Sequence, residues 1–336
     1  RDEGIDLALL SDEGSIYYFT GYHGFLYMNF GRPTVVVLPA EGEPTIITPT
    51  LESEMAGRMT WAPEANVIAW LDGLEGEWRT PLGEAIAGVK SGKVGIEHTA
   101  IPQAVRDFIV GECPAARLAD ISDRVSEMRM VKDAFEIEVA RDAGRVAVAM
   151  VAAVREVIGV GVPEYEMALA AINAGTRKAA ELFESYEDDP LMSPTIRFHQ
   201  IMSSGPRVSM CHHRSTDRVM EKYDPIFLCF CGHAEFRNFK IGFDRMFFIG
   251  GVKDEYAGMY DVAVRSQAAG IAAARPGVTA EEVHGAYAEV VREAGFEYPF
   301  RHGRAVGYNC QESPELKFGD KTILRPGMVF AMDGGA

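Results

Sequence analysis

The sequence predicts two domains, an α/β domain followed by a mixed domain of long helices and strands. With 336 residues, the chain is longer than most single domains. Short apolar runs alternate with helical patterns in the first 120 residues, which is typical of an α/β domain. After residue 120 the apolar residues recur at helical spacing over long segments, and strand-like runs follow. We therefore expect the domain boundary between residues 120 and 121.

Apolar runs bounded by glycine, proline and polar residues predict the strands. In the first domain these runs are GIDLALLS, TVVVLPA, PTIITPT and KVGIEH, with helical patterns at TPLGEAIAGV and PQAVRDFIV. In the second domain the apolar spacing predicts helices near 121–129, 133–158, 163–183, 254–274 and 279–295. Strands are expected there at PIFLCFCGH, KIGFDRMFFIGG and GMVFAMDGG.

The composition indicates an ordinary globular protein, with 47% hydrophobic and 24% charged residues. A net charge of −16 argues against a nucleic-acid partner, because phosphates require a basic surface. No apolar run reaches membrane-spanning length, and the N-terminal segment lacks the basic-then-apolar pattern of a signal peptide. We expect a cytoplasmic protein that binds neither nucleic acid nor membrane.

The cysteines do not form a recognisable metal or redox motif. They are odd in number, which favours reduced thiols: Cys113, Cys211, Cys229, Cys231 and Cys310. Cys229 and Cys231 are one residue apart, whereas zinc sites favour pairs two to four residues apart, and dithiol redox motifs use C-x-x-C. On a strand these two side chains would share one face. The carboxylates Asp244, Glu312 and Asp333 are too dispersed to predict a two-metal cluster.

Six segments, taken together and in order through both domains, resemble the creatinase family. They are FLYMNFGRP, MRMVKDAFEIEVAR, VPEYEMAL, SSGPRVSMCHHRSTDRVMEKYD, FDRMFFIG and RPGMVFAMD. This pita-bread family also includes aminopeptidase P, prolidase and methionine aminopeptidase. The resemblance implies a creatinase-like α/β N-terminal domain over residues 1–120. It also implies an α+β pita-bread catalytic domain over residues 121–336.

The resemblance also bears on metal binding. Metallopeptidases of this family hold two metal ions with two aspartates, a histidine and two glutamates. The matching positions here are 229–231 for the first aspartate, Gly242 for the second, Arg304 for the histidine and Asp333 for the first glutamate, and the second glutamate would follow residue 336. A guanidinium at the histidine position should repel a divalent cation. Creatinase works without metal, so the resemblance implies no catalytic metal and no cofactor.

Three positions of this sequence match creatinase residues that act on the substrate, so the resemblance suggests three catalytic residues. The ungapped match over 204–224 aligns His212 with the histidine that acts there as general acid and base. Imidazole suits this role because it titrates near neutrality. Asp244 and Asp333 match two glutamates that hold the substrate guanidinium. The alternatives are a loop position without a catalytic role for His212 and an ion pair with Arg245 for Asp244.

The same comparison suggests four substrate-binding residues and a partner subunit. Phe30 and Arg32 match residues that contact the substrate and bind its carboxylate. In this family the N-terminal domain reaches the active site of the other subunit, so the resemblance implies a homodimer. Gln311 aligns nearest to a further carboxylate-binding arginine, and Arg304 is a candidate to replace that charge. The alternative for Arg32 is a structural turn residue between Gly31 and Pro33.

The hypothesis that follows is a metal-independent hydrolase that cleaves a C–N bond in a small guanidino or amidine carboxylate. Creatine, which would give sarcosine and urea, and ectoine, a cyclic amidine carboxylate, are the two candidate substrates. An Xaa-Pro-type metallopeptidase and a catalytically inactive homologue that binds a small molecule are the alternatives. Whether Cys211, Cys229 or Cys231 lies in the pocket is left open by the sequence.

Overall fold

A computed structural model describes residues 4–24, 32–73, 75–88, 92–113, 117–186, 191–196, 201–232 and 234–335. The chain divides into two compact units, the first ending at Arg129 and the second beginning at Met130, with Leu191 and Met192 assigned to the first. The sequence-based boundary lies just before helix α5 (Ser122–Met130), whereas the compact units separate at its C-terminal end. Within the described ranges, no helix combines the length and apolar composition that a bilayer span requires.

The first unit is built on a six-stranded mixed sheet. Its strands are β1 (Ile5–Leu10), β2 (Val35–Pro39), β3 (Thr45–Pro49), β4 (Val67–Trp70), β5 (Lys93–Ile96) and β6 (Leu118–Asp120). They are ordered β4-β3-β2-β1-β5-β6, with the β1–β2 and β2–β3 pairs antiparallel and the other pairs parallel. The four strands predicted from the sequence are confirmed; β4 and β6 are additional.

Helices and apolar side chains cover both faces of this sheet. The helices are α1 (Glu13–Thr20), α2 (Thr50–Met59), α3 (Arg79–Ala87), α4 (Gln103–Glu112) and α5. Leu7 and Leu9 of β1 belong to one buried cluster and Leu10 to another. The alternation of side chains along a strand sends them to opposite faces. The unit is therefore layered as predicted for an α/β domain.

Four long helices organise the second unit. They are α6 (Ala134–Val157), α7 (Glu164–Phe183), α8 (Asp254–Ala273) and α9 (Ala280–Glu293). Capping boxes fix the start of α6, through Asp133 and Glu136, and the start of α9, through Thr279 and Glu282. Helix α6 packs on α7, and α8 packs on α9. All four confirm the helical patterns of the sequence.

Short strands in this unit form three small sheets among the described residues. The strands are β7 (Ile201–Ser204), β8 (Pro225–Cys229), β9 (Ala234–Phe236), β10 (Phe239–Ile241), β11 (Asp244–Phe248), β12 (Arg301–Ala305), β13 (Glu312–Lys317) and β14 (Phe330–Met332). Their orders are β11-β8-β7, β10-β9 and β13-β12-β14.

Two predicted strands of this unit need correction. The run KIGFDRMFFIGG is divided into β10 and β11 by Gly242 and Phe243, and β8 ends at Cys229 rather than continuing through FCGH. The hydrogen bonds from Phe230 N to Phe243 O and from Gly232 N to Ile241 O keep the register of β8 and β11, but Gly232 has a φ of 72° and Ala234 N donates to Phe230 O, so the chain turns here. The regular strand therefore gives way to a turn at this point, which is where the candidate site lies.

Candidate active site

Asp244 and Cys229 face each other at the ends of two antiparallel strands. Asp244 is the first residue of β11 and pairs in register with Cys229, the last residue of β8. Residues directly opposite on antiparallel strands project to the same face, with Cβ atoms about 4.5–5.5 Å apart. The strand register thus holds a carboxylate beside a thiol.

Arg304 enters the same cluster from β12, and the residue is only 4% exposed. Its Nε donates to the carbonyl of Cys310 at 3.1 Å, its Nη2 to Cys231 Sγ at 3.0 Å and its Nη1 to Asp333 Oδ2 at 3.4 Å. Burial opposes the charge, but Cys231 and Asp333 outweigh it, so the pKa of Arg304 is raised. The side chain is therefore a fixed positive charge.

Asp333 follows β14 directly and lies one strand away from Arg304. Its backbone N donates to His302 O at 2.8 Å, which extends the β12–β14 pairing by one residue. Burial of the carboxyl group raises the pKa of Asp333 to about 6; repulsion from Asp244 adds to the shift, and Arg304 opposes it. A carboxyl group with this pKa exchanges a proton near neutrality, as a general acid or base must.

Cys229 and Cys231 lie with their sulfur atoms 2.9 Å apart. Cys229 is 4% exposed, and its pKa is raised by the hydrogen bond to Cys231, by burial and by Asp244. The pKa of Cys231 is lowered by the hydrogen bond from Cys229, and Arg304 contributes to the lowering. The pair therefore consists of a buried thiol and a more accessible one whose thiolate form is favoured. Cys211 is exposed and belongs to a turn.

A cavity of about 310 Å³ opens beside this cluster. The residues that line it include Phe227, Phe243, Asp244, Tyr260, Gln267 and Asp333. Arg245 stacks on the Phe243 ring at 4.1 Å and donates to the backbone carbonyl of Asp244 at 2.6 Å. A small polar molecule with an apolar portion suits such a lining.

Helix α8 contributes cavity residues that the sequence analysis missed. Tyr260, Ala263, Val264 and Gln267 all line the cavity, and their spacing is that of one helical face. Gln267 Nε2 donates to Met332 O at 2.7 Å, which connects α8 to β14 next to Asp333. The helical repeat of α8 was visible in the sequence, but a repeat does not show whether one face of the helix lies against a cavity or against other side chains.

Comparison with protein-family models identifies the two parts of the chain. Residues 138–335 match metallopeptidase family M24, and residues 1–131 match the creatinase/prolidase N-terminal domain. The chain belongs to metallopeptidase family M24. This membership confirms the predicted fold, a creatinase N-terminal domain followed by a pita-bread catalytic domain, and it supports a hydrolase.

Individual M24 relatives carry different activities in their names. Agropine synthesis cyclase of Rhizobium rhizogenes is 30% identical over 348 residues, covering 99% of this chain and 85% of the relative. Creatinase of Bacillus sp. strain B-0618 is 26% identical, covering 98% of this chain and 79% of the relative. Prolidase from Pyrococcus furiosus has a TM-score of 0.78 at 23% identity, covering 98% of this chain and 88% of that protein.

Among the residues that the structure describes, those at the positions aligned with metal ligands do not fit the two-metal site of M24 peptidases. A Cβ at Gly242, which aligns with a metal-binding aspartate, would lie 2.6 Å from Ala331 Cβ and 3.3 Å from Arg304 Nη2. Donor atoms of Cys229, Cys231 and Asp244 do lie within 4.8 Å of one another. Two thiols and one carboxylate differ from the oxygen-rich set that hard divalent ions prefer, and Arg304 adds a cation.

The remaining predicted site residues lie elsewhere or outside the described ranges. His212 is exposed on a turn after the 3₁₀ helix Gly205–Ser209 and is not among the described residues lining the cavity. Gln311 is also exposed, and its Nε2 donates to Glu315 at 3.3 Å. In the first unit, Arg32 Nε lies 2.6 Å from Asp72 Oδ1. Phe30 lies outside the described residues. The structure brings together Asp244, Asp333 and Arg304.

Proposed function

We propose that the protein is a metal-independent hydrolase that cleaves a C–N bond in a small guanidino or amidine carboxylate. The observation that carries this proposal is the pair Asp244 and Asp333, which line one cavity. Within the described part of the chain, Asp244 Oδ1 is buried without a hydrogen-bond partner. A guanidinium or amidinium group supplies N–H donors that match two carboxylates.

Arg304 sets the charge of this pocket. Its contact with Asp333 compensates one of the two carboxylates, which leaves Asp244 to receive a cationic substrate group; Arg245, a second cation at the cavity, stacks on Phe243. A metal ion would have to approach this guanidinium, which is 4% exposed and held by three hydrogen bonds. Coulomb repulsion at such range disfavours a divalent ion.

The proposed reaction needs one proton carrier. Water adds to the central carbon of the guanidino or amidine group, and the C–N bond breaks. His212, on an exposed turn and not among the described residues that line the cavity, is the proposed carrier: it takes the proton from the attacking water and returns it to the leaving nitrogen. Asp244 and Asp333 hold the cationic nitrogen atoms in place for the attack, and they stabilise the positive charge that returns to these nitrogens when the leaving nitrogen has been protonated and the C–N bond breaks.

Arg32, with Phe30, is proposed to bind the substrate carboxylate from the other subunit of a homodimer. The Arg32 guanidinium forms an ion pair with Asp72, which fixes the direction of its N–H groups. Arg304 and Gln311 remain candidates for a second contact with the carboxylate. A sedimentation measurement that gives the mass of a single chain would contradict the dimer.

Two further functions have specific support. The 30% identical relative is named as a cyclase, and ring closure with loss of water is the reverse of ring-opening hydrolysis. The likeness to prolidases supports an Xaa-Pro metallopeptidase, for which the cluster of Cys229, Cys231 and Asp244 would have to supply ligands. An inactive homologue would bind its ligand without consuming it.

A product screen tests these functions together. The purified protein is incubated with creatine, guanidinoacetate, ectoine and Xaa-Pro dipeptides, each with and without a chelator, and the products are measured by mass spectrometry. We expect turnover of a guanidino or amidine carboxylate at the same rate in both conditions. Cleavage of dipeptides alone, abolished by the chelator, would overturn the proposal. A rise in melting temperature without any product would indicate a binding protein.

A further inference from the structure

The proposed reaction leaves the two thiols of the site without a role. Cys229 and Cys231 have their Sγ atoms 2.9 Å apart, although only one residue separates them in the chain. The hydrogen bonds from Phe230 N to Phe243 O and from Gly232 N to Ile241 O hold the backbone on both sides of Cys231. The close approach of the sulfurs is therefore built into the backbone at the end of β8.

Gly232 is part of this arrangement. It has a φ of 72°, in the left-handed region where glycine is favoured, and a Cβ there would lie 2.4 Å from Cys310 Cβ. The turn that aims Cys231 back towards Cys229 thus requires a glycine. It also brings Cys310 near, so three of the five cysteines surround this segment.

The two thiols differ in accessibility and in charge partners. Cys231 is partly exposed and accepts from Arg304 Nη2 at 3.0 Å, whereas Cys229 is 4% exposed. A thiolate stabilised by a cation and reachable from solvent is the form that oxidants attack. A second thiol at contact distance is the group that resolves the oxidised sulfur. The geometry therefore assigns Cys231 as the thiol that is oxidised and Cys229 as the thiol that resolves it.

We propose that Cys229 and Cys231 form a reversible disulfide when hydrogen peroxide oxidises Cys231. The Cys231 thiolate attacks the peroxide, the O–O bond breaks, and sulfenic acid and hydroxide form. The Cys229 thiol then attacks the sulfenic sulfur, and water leaves after the Cys229 proton has been transferred. Two electrons pass from the two sulfurs to the peroxide, which is reduced to two waters. A dithiol reductant restores both thiols by exchange.

Disulfide formation removes an acceptor from Arg304. A disulfide sulfur is neutral, so the Nη2 contact of 3.0 Å with Cys231 loses its ionic character. The charge of Arg304 is then shared mainly with Asp333, at 3.4 Å. This consequence for the pocket rests on the proposed function, because it alters the carboxylate that would hold the substrate cation. The formation of the disulfide does not depend on that function.

The test counts thiols and maps the bond in the full chain. Treatment with hydrogen peroxide should lower the number of titratable thiols from five to three. The intact mass should fall by the mass of two hydrogen atoms. Dithiothreitol should restore all five. Peptide mapping should locate the bond between Cys229 and Cys231. Retention of all five thiols in the folded protein, or a bond from either residue to Cys310, would overturn the proposal.

Variants separate the roles of the two sulfurs. In Cys229→Ser the sulfenic acid should persist on Cys231 and be trapped by dimedone, whereas Cys231→Ser should form neither adduct nor disulfide. Cys310→Ser and Cys211→Ser are matched controls and should still form the bond. Dimedone labelling of Cys229 in place of Cys231 would contradict the assignment. Thiol counting needs no substrate, so failure of the proposed hydrolysis would leave this result distinguishable.

Discussion

The Arg304 guanidinium and the Asp333 carboxylate meet inside the second unit, with Nη1 and Oδ2 3.4 Å apart. Because Arg304 is 4% exposed, its charge must be compensated by groups of the chain itself. Cys231 Sγ and the carbonyl of Cys310 complete this compensation. The stability of the site and its electrostatics are therefore linked through one side chain.

Replacement of Arg304 by glutamine should destabilise the protein. The variant leaves Asp333 and Cys231 without their cation in a buried setting, so the free energy of unfolding should fall by about 2–3 kcal/mol. Urea denaturation measures this change. Arg265→Gln is the matched control, because Arg265 pairs with Asp261 at the surface, and its loss should cost below about 1 kcal/mol. Equal losses in both variants would refute the compensated buried charge.

Asp333 should make the stability of the protein depend on pH in a defined direction. Its pKa is raised from 3.8 to about 6, so between these values the native state holds a proton that the unfolded chain has released. The contribution of Asp333 to stability is therefore greatest at acidic pH and falls as the pH rises through this window.

The Asp333→Asn variant should accordingly gain stability relative to wild type as the pH rises from 4 to 7. The side chain is 35% exposed, so the gain after solvent screening should be about 1 kcal/mol. Unfolding curves at several pH values measure it. Asp107→Asn, at an exposed position, is the control and should show no such trend. A relative loss of stability with rising pH would contradict the raised pKa.

His212→Ala tests the proposed proton carrier. Loss of a general acid and base should lower kcat by about 10²–10⁴-fold on the substrate found in the product screen. Because His212 is exposed on a turn, the melting temperature should stay close to that of wild type. His98→Ala, another exposed histidine, is the control and should retain full turnover. Full activity of His212→Ala would exclude the assigned role.

Gly242 should tolerate no side chain. In Gly242→Ala the new Cβ would meet Ala331 Cβ at 2.6 Å and crowd Arg304, so the free energy of unfolding should fall by about 1–3 kcal/mol. Gly258→Ala in α8 is the matched control, because nothing lies within 4 Å of a Cβ there. In a helix this change should stabilise by about 0.5–1 kcal/mol. A Gly242→Ala variant as stable as wild type would refute the close packing.

The sequence predicted the long helices well because their signals are local. Helices α6 and α9 have an apolar repeat together with a capping box at the start, and both signals are read within a few turns. Helix α1 was missed because it has only eight residues, too few for the repeat to stand out. Strands β4 and β6, with four and three residues, were also missed.

The site itself was only partly predictable, because its strands do not follow the apolar pattern. β12 reads RHGRA, which suggests a polar loop, yet His302 and Arg304 are 2% and 4% exposed. Burial of these polar groups depends on β13, β14 and the segments around 231 and 310, of which the segment around 231 is far away in sequence. The resemblance to creatinase suggested Arg304, Asp244 and Asp333 as site residues, but it gave no indication that Cys231 contacts Arg304.

The Arg304 guanidinium, next to Gly242, is a cation that is part of the polypeptide itself. Such a charge cannot be chelated, exchanged or mismatched with a competing ion, and every folded copy carries one. Unlike a bound metal ion, this cation cannot be replaced by a different ion with other reactivity. New chemistry at this site must therefore evolve through changes in the residues around Arg304.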